Sequence, residues 1–177
     1  MKSKVIAISA ISASFIALLL TLGAYIEIVD VFTVLVASVF VILPTYYKSY
    51  LGSFLCFLVG GVLAFLLSGF NFLSIVFPAY FAFFGVYPII RCLANEKKFN
   101  KILYYALCVI WCVGVFYGLY FFLIFVMQNP FQGLPPFVVD NILIFVGIVG
   151  VLVFALYDRC MYIMKKFMDA NLGKFIK

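Results

Sequence analysis

The sequence predicts an all-α integral membrane protein with six transmembrane helices and both termini in the cytoplasm. Three observations lead to this prediction: the composition, the spacing of the apolar runs and the positions of the basic residues. Of the 177 residues, 68% are hydrophobic and 10% are charged, and the mean hydropathy is +1.29. A soluble domain of this length cannot keep so much apolar surface from water, because a large share of its residues must face the solvent. Lipid is therefore the expected surrounding of most of the chain.

Six apolar runs, each long enough to cross a bilayer, follow one another along the chain. Their predicted bounds are 5–25, 31–47, 50–69, 71–91, 102–127 and 139–158. The second run is the shortest, and the tight connection at 68–72 predicts that the third and fourth form a helical hairpin. No stretch has the composition of a separate soluble domain. Residues 1–177 are therefore predicted to form a single membrane domain that ends in a basic cytoplasmic tail, 159–177.

The positions of the basic residues predict the orientation. All twelve lie before the first run, between the second and third, between the fourth and fifth, or after the sixth. In a six-helix arrangement these four places share one side of the membrane, whereas Glu27, Asp30 and Asp140 lie on the other side without a lysine or arginine. Because cytoplasmic loops carry the excess of Lys and Arg, both termini are predicted to be cytoplasmic. This topology also accounts for the net charge of +6, so no nucleic-acid partner is expected.

Two of the spans have special features. Pro78 and Pro88 fall within the fourth span, and each is predicted to kink it because proline removes a backbone hydrogen bond. The first span has an alternative interpretation as a cleavable signal peptide that ends near Leu22-Gly23-Ala24. Its apolar run is longer than the core of about 7–15 residues in a typical signal peptide, which favours a retained helix.

Several classes of chemistry lack the residues that they need. The chain has no histidine, which excludes a Ser-His-Asp triad and an H-E-x-x-H zinc site. It has no G-x-x-x-x-G-K-[ST] loop and so no P-loop ATPase of its own. No acidic residue falls deep inside a predicted span, which argues against proton-coupled transport. The five cysteines are interpreted as packing residues. Because these classes of chemistry lack their residues, we expect neither an enzyme nor a metal or other cofactor.

Polar and aromatic residues gather at the predicted outer ends of the spans. On the fifth span, Tyr117, Tyr120 and Phe121 share a face at i, i+3 and i+4, and Gln128 continues it. Such a face could wall a pocket in which a planar ligand stacks while amides and carboxylates hold its polar edges. The alternative is ordinary aromatic and polar decoration of a membrane interface. The candidate ligand-binding residues are Glu27, Asp30, Asn71, Tyr117, Phe121, Gln128, Asp140 and Asn141.

The first span alternates bulky and small residues in the run AISAISASFIA, residues 7–17. At about 100° per residue, its four alanines and Ser14 lie on one side of the helix, and Ile8, Ile11 and Phe15 lie on the other. Ala10-x-x-x-Ser14 and Ala13-x-x-x-Ala17 are small-xxx-small pairs, which let helices approach closely within lipid. The smooth side is predicted to dock another protein through Ala10, Ala13, Ser14 and Ala17. Packing against the chain's own helices is the alternative.

With these features, nearly the whole chain resembles the substrate-binding S component of an energy-coupling factor transporter. The resemblance lies in the six short spans, the cytoplasmic ends and the Ala-x-x-x-Ala of the first helix. The segments LVASVFVILPTYYKSYLGSFLCFLVGGVLAFLLSG and FFGVYPIIR also have the general texture of that family. The resemblance implies that Ala13 and Ala17 dock on a transmembrane T component, and that two cytoplasmic ATPases use ATP to drive the complex.

The resemblance also implies a multi-pass protein of a bacterial cell membrane that captures a vitamin-like micronutrient on the outer face. The pocket would be built from spans four to six and the first outer loop. The outward acids, without outward bases, favour a neutral or cationic ligand. The alternative function is a membrane scaffold without a substrate, such as the rod-shape-determining protein MreD, in which the small stripe would bind another membrane protein.

Overall fold

The computed structural model describes residues 3–71, 73–97, 100–127 and 136–172, except for the side chains of residues 27, 127, 136, 169, 171 and 172. Within these ranges the chain is helical between short turns, without a strand. The elements are α1 (Ser3–Tyr25), a 3-10 turn (Glu27–Val29), α2 (Asp30–Phe40), a second 3-10 turn (Leu43–Tyr47), α3 (Tyr50–Leu67), α4 (Val76–Ala79), a π-helical turn (Tyr80–Phe84), α5 (Tyr87–Glu96), α6 (Lys101–Met127), α7 (Pro136–Asp140) and α8 (Ile142–Leu172). The all-α prediction is confirmed for the described residues.

Six helical stretches in the described ranges are long and apolar enough to cross a membrane, as predicted. They are Ser3–Tyr25, Asp30–Tyr47, Tyr50–Leu67, Val76–Glu96, Lys101–Val126 and Ile142–Met168. The first, second, third and fifth agree closely with the predicted bounds. The direction of the bundle relative to the cytoplasm stays a prediction.

The fourth and sixth spans differ from their predicted bounds. Asn71 lies in a turn, and the helix of the fourth span begins at Val76 and continues to Glu96, so that Arg91 lies inside it. Helix α8 does not end near residue 158 but continues to Leu172, so that Asp158 lies inside it. The physical reason is that residues 159–172 contain no proline or glycine, and basic residues alone do not end a helix.

Helix α1 packs against α2 and α3. Ile16 and Leu20 of α1 are completely buried there. Gly60 of α3 permits the close approach of the two helices, because a Cβ at this position would lie 2.7 Å from Cγ2 of Ile16 and 3.1 Å from the carbonyl oxygen of Ala13. A side chain at residue 60 would therefore push α1 and α3 apart.

The fourth span lies in the core and is not a continuous α-helix. The Gly85 N–H donates to the Tyr80 carbonyl at 2.8 Å, which is the i+5 bond of a π-helical turn. Pro88 lies in the first turn of α5, where a helix does not need its backbone N–H. Tyr80, Phe83 and Tyr87 are completely buried. The structure thus has the interrupted fourth span that the prolines predict.

Helices α6 and α8 pack mainly on each other. The thiol of Cys112 is buried between them, 3.7 Å from the carbonyl oxygen of Gly150. Much of the remaining surface of the pair is exposed and apolar, as at Ile110 and Leu156. We call the boundary between this pair and the other helices the seam.

The two ends of the bundle differ in charge. At the end we call acidic, α2 begins with Asp30, and the side-chain amide of Asn71 donates to a backbone carbonyl of α1 at 3.5 Å. At the end we call basic, α6 begins with Lys101, and the Tyr46 hydroxyl donates to the Lys165 carbonyl at 3.1 Å.

Candidate ligand-binding site

A cavity of about 250 Å³ lies across the seam near the acidic end. Four helices each contribute two side chains one helical turn apart: Val31 and Val34 from α2, Val76 and Ala79 from α4, Phe116 and Leu119 from α6, and Val149 and Val153 from α8. Asp30, Ile75 and Phe84 complete the wall. The i, i+3 and i, i+4 spacings are those that place two residues on one helix face, so each helix turns a single apolar face to the cavity.

The wall of the cavity is almost entirely apolar. Asp30 is its one charged residue, and the Asp30 carboxylate accepts a hydrogen bond from the backbone N–H of Val31. An acidic side chain in the first turn also interacts favourably with the positive end of the helix dipole, so the local role of Asp30 is to stabilise the start of α2. A ligand in this cavity would gain free energy by burying apolar surface, at about 25 cal/mol per Å².

The size of the cavity also restricts the ligand. Its volume of about 250 Å³ lies just below the range of about 300–1,000 Å³ that is typical of small-molecule pockets. The cavity therefore suits a small and mainly apolar molecule, rather than the planar ligand with polar edges that the sequence suggests.

The structure does not bring the predicted polar residues together around this cavity. Among the predicted ligand-binding residues, Asp30 lines the cavity. Asn71 lies in the turn before α4. Its side-chain amide donates to the Ala24 carbonyl at 3.5 Å, and its side-chain oxygen accepts from the Leu73 N–H at 3.2 Å. Asp140 is exposed, and the Asn141 amide donates to the Phe137 carbonyl at 3.0 Å. Apart from the bond between Asn71 and Ala24, which joins the turn before α4 to the end of α1, these are local contacts at helix ends and turns.

The aromatic face predicted for the fifth span is rotated relative to the cavity. Tyr117 turns toward α8, where its hydroxyl donates to the Leu143 carbonyl at 3.0 Å, and Phe121 is 60% exposed. The wall residues on this helix are Phe116 and Leu119. Nearly every position of the fifth span is apolar or aromatic, so hydrophobic periodicity does not identify the inner face. Gln128 lies outside the described residues, as does the side chain of Glu27.

The small residues of α1 divide between two faces. Ala13 and Ala17 are 5% and 4% exposed and belong to the core. Ala10 and Ser14 are exposed, and the Ser14 hydroxyl donates to the Ala10 carbonyl at 3.0 Å. Ala13 and Ala17 are thus covered within this structure, and Ala13 lies beside Gly60 of α3, so the part of the predicted docking surface that is exposed is at Ala10 and Ser14.

A buried ion pair at the basic end is the main polar feature that the sequence did not predict. The Arg91 guanidinium lies 2.8 Å from the Asp158 carboxylate, with side chains 10% and 16% exposed. Asp158 also accepts hydrogen bonds from Tyr87 and, at 3.5 Å, from Tyr105. The expectation that no acid lies deep inside a span is wrong for Asp158. Helix α5 continues to Glu96 and α8 to Leu172, beyond the predicted ends at 91 and 158.

Comparisons of the chain with models of known families, with curated proteins and with solved structures find no match. The resemblance to S components therefore rests on the size, the six spans and the small residues of α1.

Proposed function

We propose that this protein captures a small, mainly apolar molecule in the cavity at the acidic end. The observation that supports the proposal most directly is that four helices each turn a pair of apolar side chains to one cavity. Such convergence is typical of small-molecule sites between helices.

The position of the cavity suggests how a ligand enters. Its wall comes from α2, α4 and the π-helical turn on one side of the seam, and from α6 and α8 on the other. In this proposal α6 and α8, which pack mainly on each other, shift slightly as a unit near the acidic end, while the Arg91–Asp158 ion pair keeps α8 joined to α5 at the basic end. The resulting small opening of the seam admits the ligand.

The wider role that we propose is that of an S component in a bacterial cell membrane. The chain would deliver its ligand to a transmembrane T component and two ATPases. These partners would carry out the ATP-driven step, since this sequence contains no P-loop. On α1, the small residues that remain exposed for such a partner are on the face of Ala10 and Ser14. Docking through this face replaces docking through Ala13 and Ala17.

The cavity is tested by filling it. Val149 lines the cavity and Val151 does not, yet both are valines of α8 with nearly equal exposure, 46% and 45%. We expect Val149→Phe to occupy the cavity and to prevent ligand retention, whereas Val151→Phe retains the ligand. The measurement is mass spectrometry of organic extracts from the purified proteins, normalised to the protein concentration.

Two results would contradict the proposal. If the wild-type protein retains no small molecule after mild purification, the scaffold interpretation is favoured, and pull-downs should then recover a cell-shape or wall-synthesis partner. If Val149→Phe and Val151→Phe retain the same molecule equally, the ligand binds elsewhere on the protein.

A further inference from the structure

A second opening lies at the basic end, between α5 and α6. It is a groove of about 470 Å³ whose walls include Ile90, Leu93, Leu107 and Trp111. This volume falls within the range of about 300–1,000 Å³ that is typical of small-molecule sites. Leu107 is 57% exposed, so the groove opens on the flank of α6 that lipid would cover in a membrane.

A polar cleft adjoins this groove. Ala94 and Tyr104 line both, and Asn95, Lys101 and Tyr105 line the cleft. A neighbouring cleft continues along α8 past Lys165 and Lys166. An apolar groove and a polar cleft thus lie side by side at the end of the bundle that carries the lysines.

The charge of this region is positive. Lys97 lines the groove, and Lys101, Lys165 and Lys166 line the clefts, while no acidic residue lines any of the three among the residues that the structure describes. The charge of Arg91 is balanced by Asp158. Lys97 and Lys101, which line the groove and the first cleft, can therefore attract an anion, and ammonium groups form strong hydrogen bonds with phosphate oxygens.

We propose that this region binds an anionic glycerophospholipid. Part of an acyl chain lies in the apolar groove, and the phosphate of the headgroup lies against Lys97 and Lys101, with the Asn95 amide as a further donor. Basic pockets between transmembrane helices are suited to lipid headgroups for this reason. An apolar groove beside lysines favours a lipid over a free phosphate, because a free phosphate would contact the lysines and leave the groove empty. This site is separate from the cavity at the acidic end.

The single tryptophan of the chain makes the proposal testable. Trp111 lines the groove, so a brominated acyl chain bound there should quench its fluorescence. The full-length protein is placed in nanodiscs of phosphatidylcholine that contain a minor fraction of brominated phosphatidylglycerol, or the same fraction of brominated phosphatidylcholine. We expect a relative preference for phosphatidylglycerol of roughly fivefold or more, from two lysines near the headgroup.

Two double variants with the same net charge provide the control. Lys97→Gln/Lys101→Gln should abolish the preference for phosphatidylglycerol, whereas Lys4→Gln/Lys48→Gln should retain it, since neither of those residues lines the groove or the clefts. Circular dichroism checks that both variants keep the helical content of the wild type. Inorganic phosphate in the buffer should not displace the quencher.

The proposal is overturned by any of three results. Equal quenching by the two brominated lipids in the wild type would mean that no anionic lipid is selected. Equal loss of preference in both double variants would assign the effect to bulk charge. Displacement of the quencher by inorganic phosphate at constant ionic strength would show that the lysines form a site for a soluble anion.

Discussion

The cavity at the acidic end and the groove at the basic end share α6 but differ in the chemistry of their walls. Phe116 and Leu119 contribute to a cavity whose other walls, apart from Asp30, are apolar side chains. Leu107 and Trp111 contribute to a groove that adjoins lysines. Binding at the acidic end should therefore depend on volume, and binding at the basic end on charge. Substitutions of size and of charge should affect the two ends separately.

The largest effect is expected from breaking the buried ion pair at the basic end. Arg91→Ala leaves Asp158 with tyrosine partners alone, and Asp158→Ala leaves a buried guanidinium without its counter-ion. Removal of one partner of a buried pair costs about 3–5 kcal/mol. We expect each variant to lower the free energy of unfolding by that amount in detergent titrations monitored by circular dichroism.

The control for the ion pair is Arg159→Gln, which removes an exposed arginine next to Asp158 in the sequence and should change stability by less than about 0.5 kcal/mol. The double variant Arg91→Ala/Asp158→Ala should lose clearly less than the sum of the two single changes, because the residues are in contact. Additive losses, or losses as small as that of Arg159→Gln, would show that the pair does not hold α5 to α8.

A smaller effect on stability is expected from enlarging the two faces of α1. Ala13 lies beside Gly60 in the core, so Ala13→Leu overpacks the contact of α1 with α3, at a cost of about 1–3 kcal/mol. Ala10 is exposed, so Ala10→Leu should unfold like the wild type. Unfolding in detergent distinguishes the two, and Ala106→Leu, at an exposed alanine of α6, is the matched control.

The same three variants test the docking face of the proposed S component. Ala10→Leu should prevent co-purification with a T component and its ATPases without reducing ligand retention, while Ala106→Leu should affect neither. If Ala10→Leu co-purifies normally with the complex, α1 does not dock through its exposed small face.

Sequence patterns predicted the number of spans because lipid imposes a length and a polarity on every crossing segment. The same patterns could not predict which residues meet across helices. Ala13 and Ser14 are neighbours with similar side-chain volumes, and only the position of Gly60 on another helix makes one internal and the other exposed. Helical-wheel reasoning gives the smooth side of α1 but not the helix that covers part of it.

The ion pair and the cavity show the same limitation in different ways. The predicted spans 71–91 and 139–158 end at Arg91 and Asp158, yet a paired charge is compatible with a buried position inside a helix. For the cavity, polar and aromatic residues at the outer ends were the candidates, whereas the wall is made of valines, Phe116 and Leu119. Apolar residues that line a site look the same in sequence as those that fill a core.

The smallest effect on stability is expected at the acidic end, from Tyr117→Phe. The Tyr117 hydroxyl donates to the Leu143 carbonyl at 3.0 Å and joins α6 to α8 beside the cavity, so its loss should cost about 0.5–1.5 kcal/mol. Because Phe116 and Val149 line the cavity from the same two helices, ligand should be retained less well, while the lipid preference at the basic end stays unchanged.

Tyr25→Phe is the control at the same end, since that hydroxyl makes a longer bond of 3.4 Å to Leu67 and its side chain is 65% exposed. Ligand extraction and the Trp111 quenching assay are applied to both variants. A loss of lipid preference in Tyr117→Phe would mean that the two ends of α6 are coupled. Ligand binding at the acidic end and lipid binding at the basic end would then not be independent.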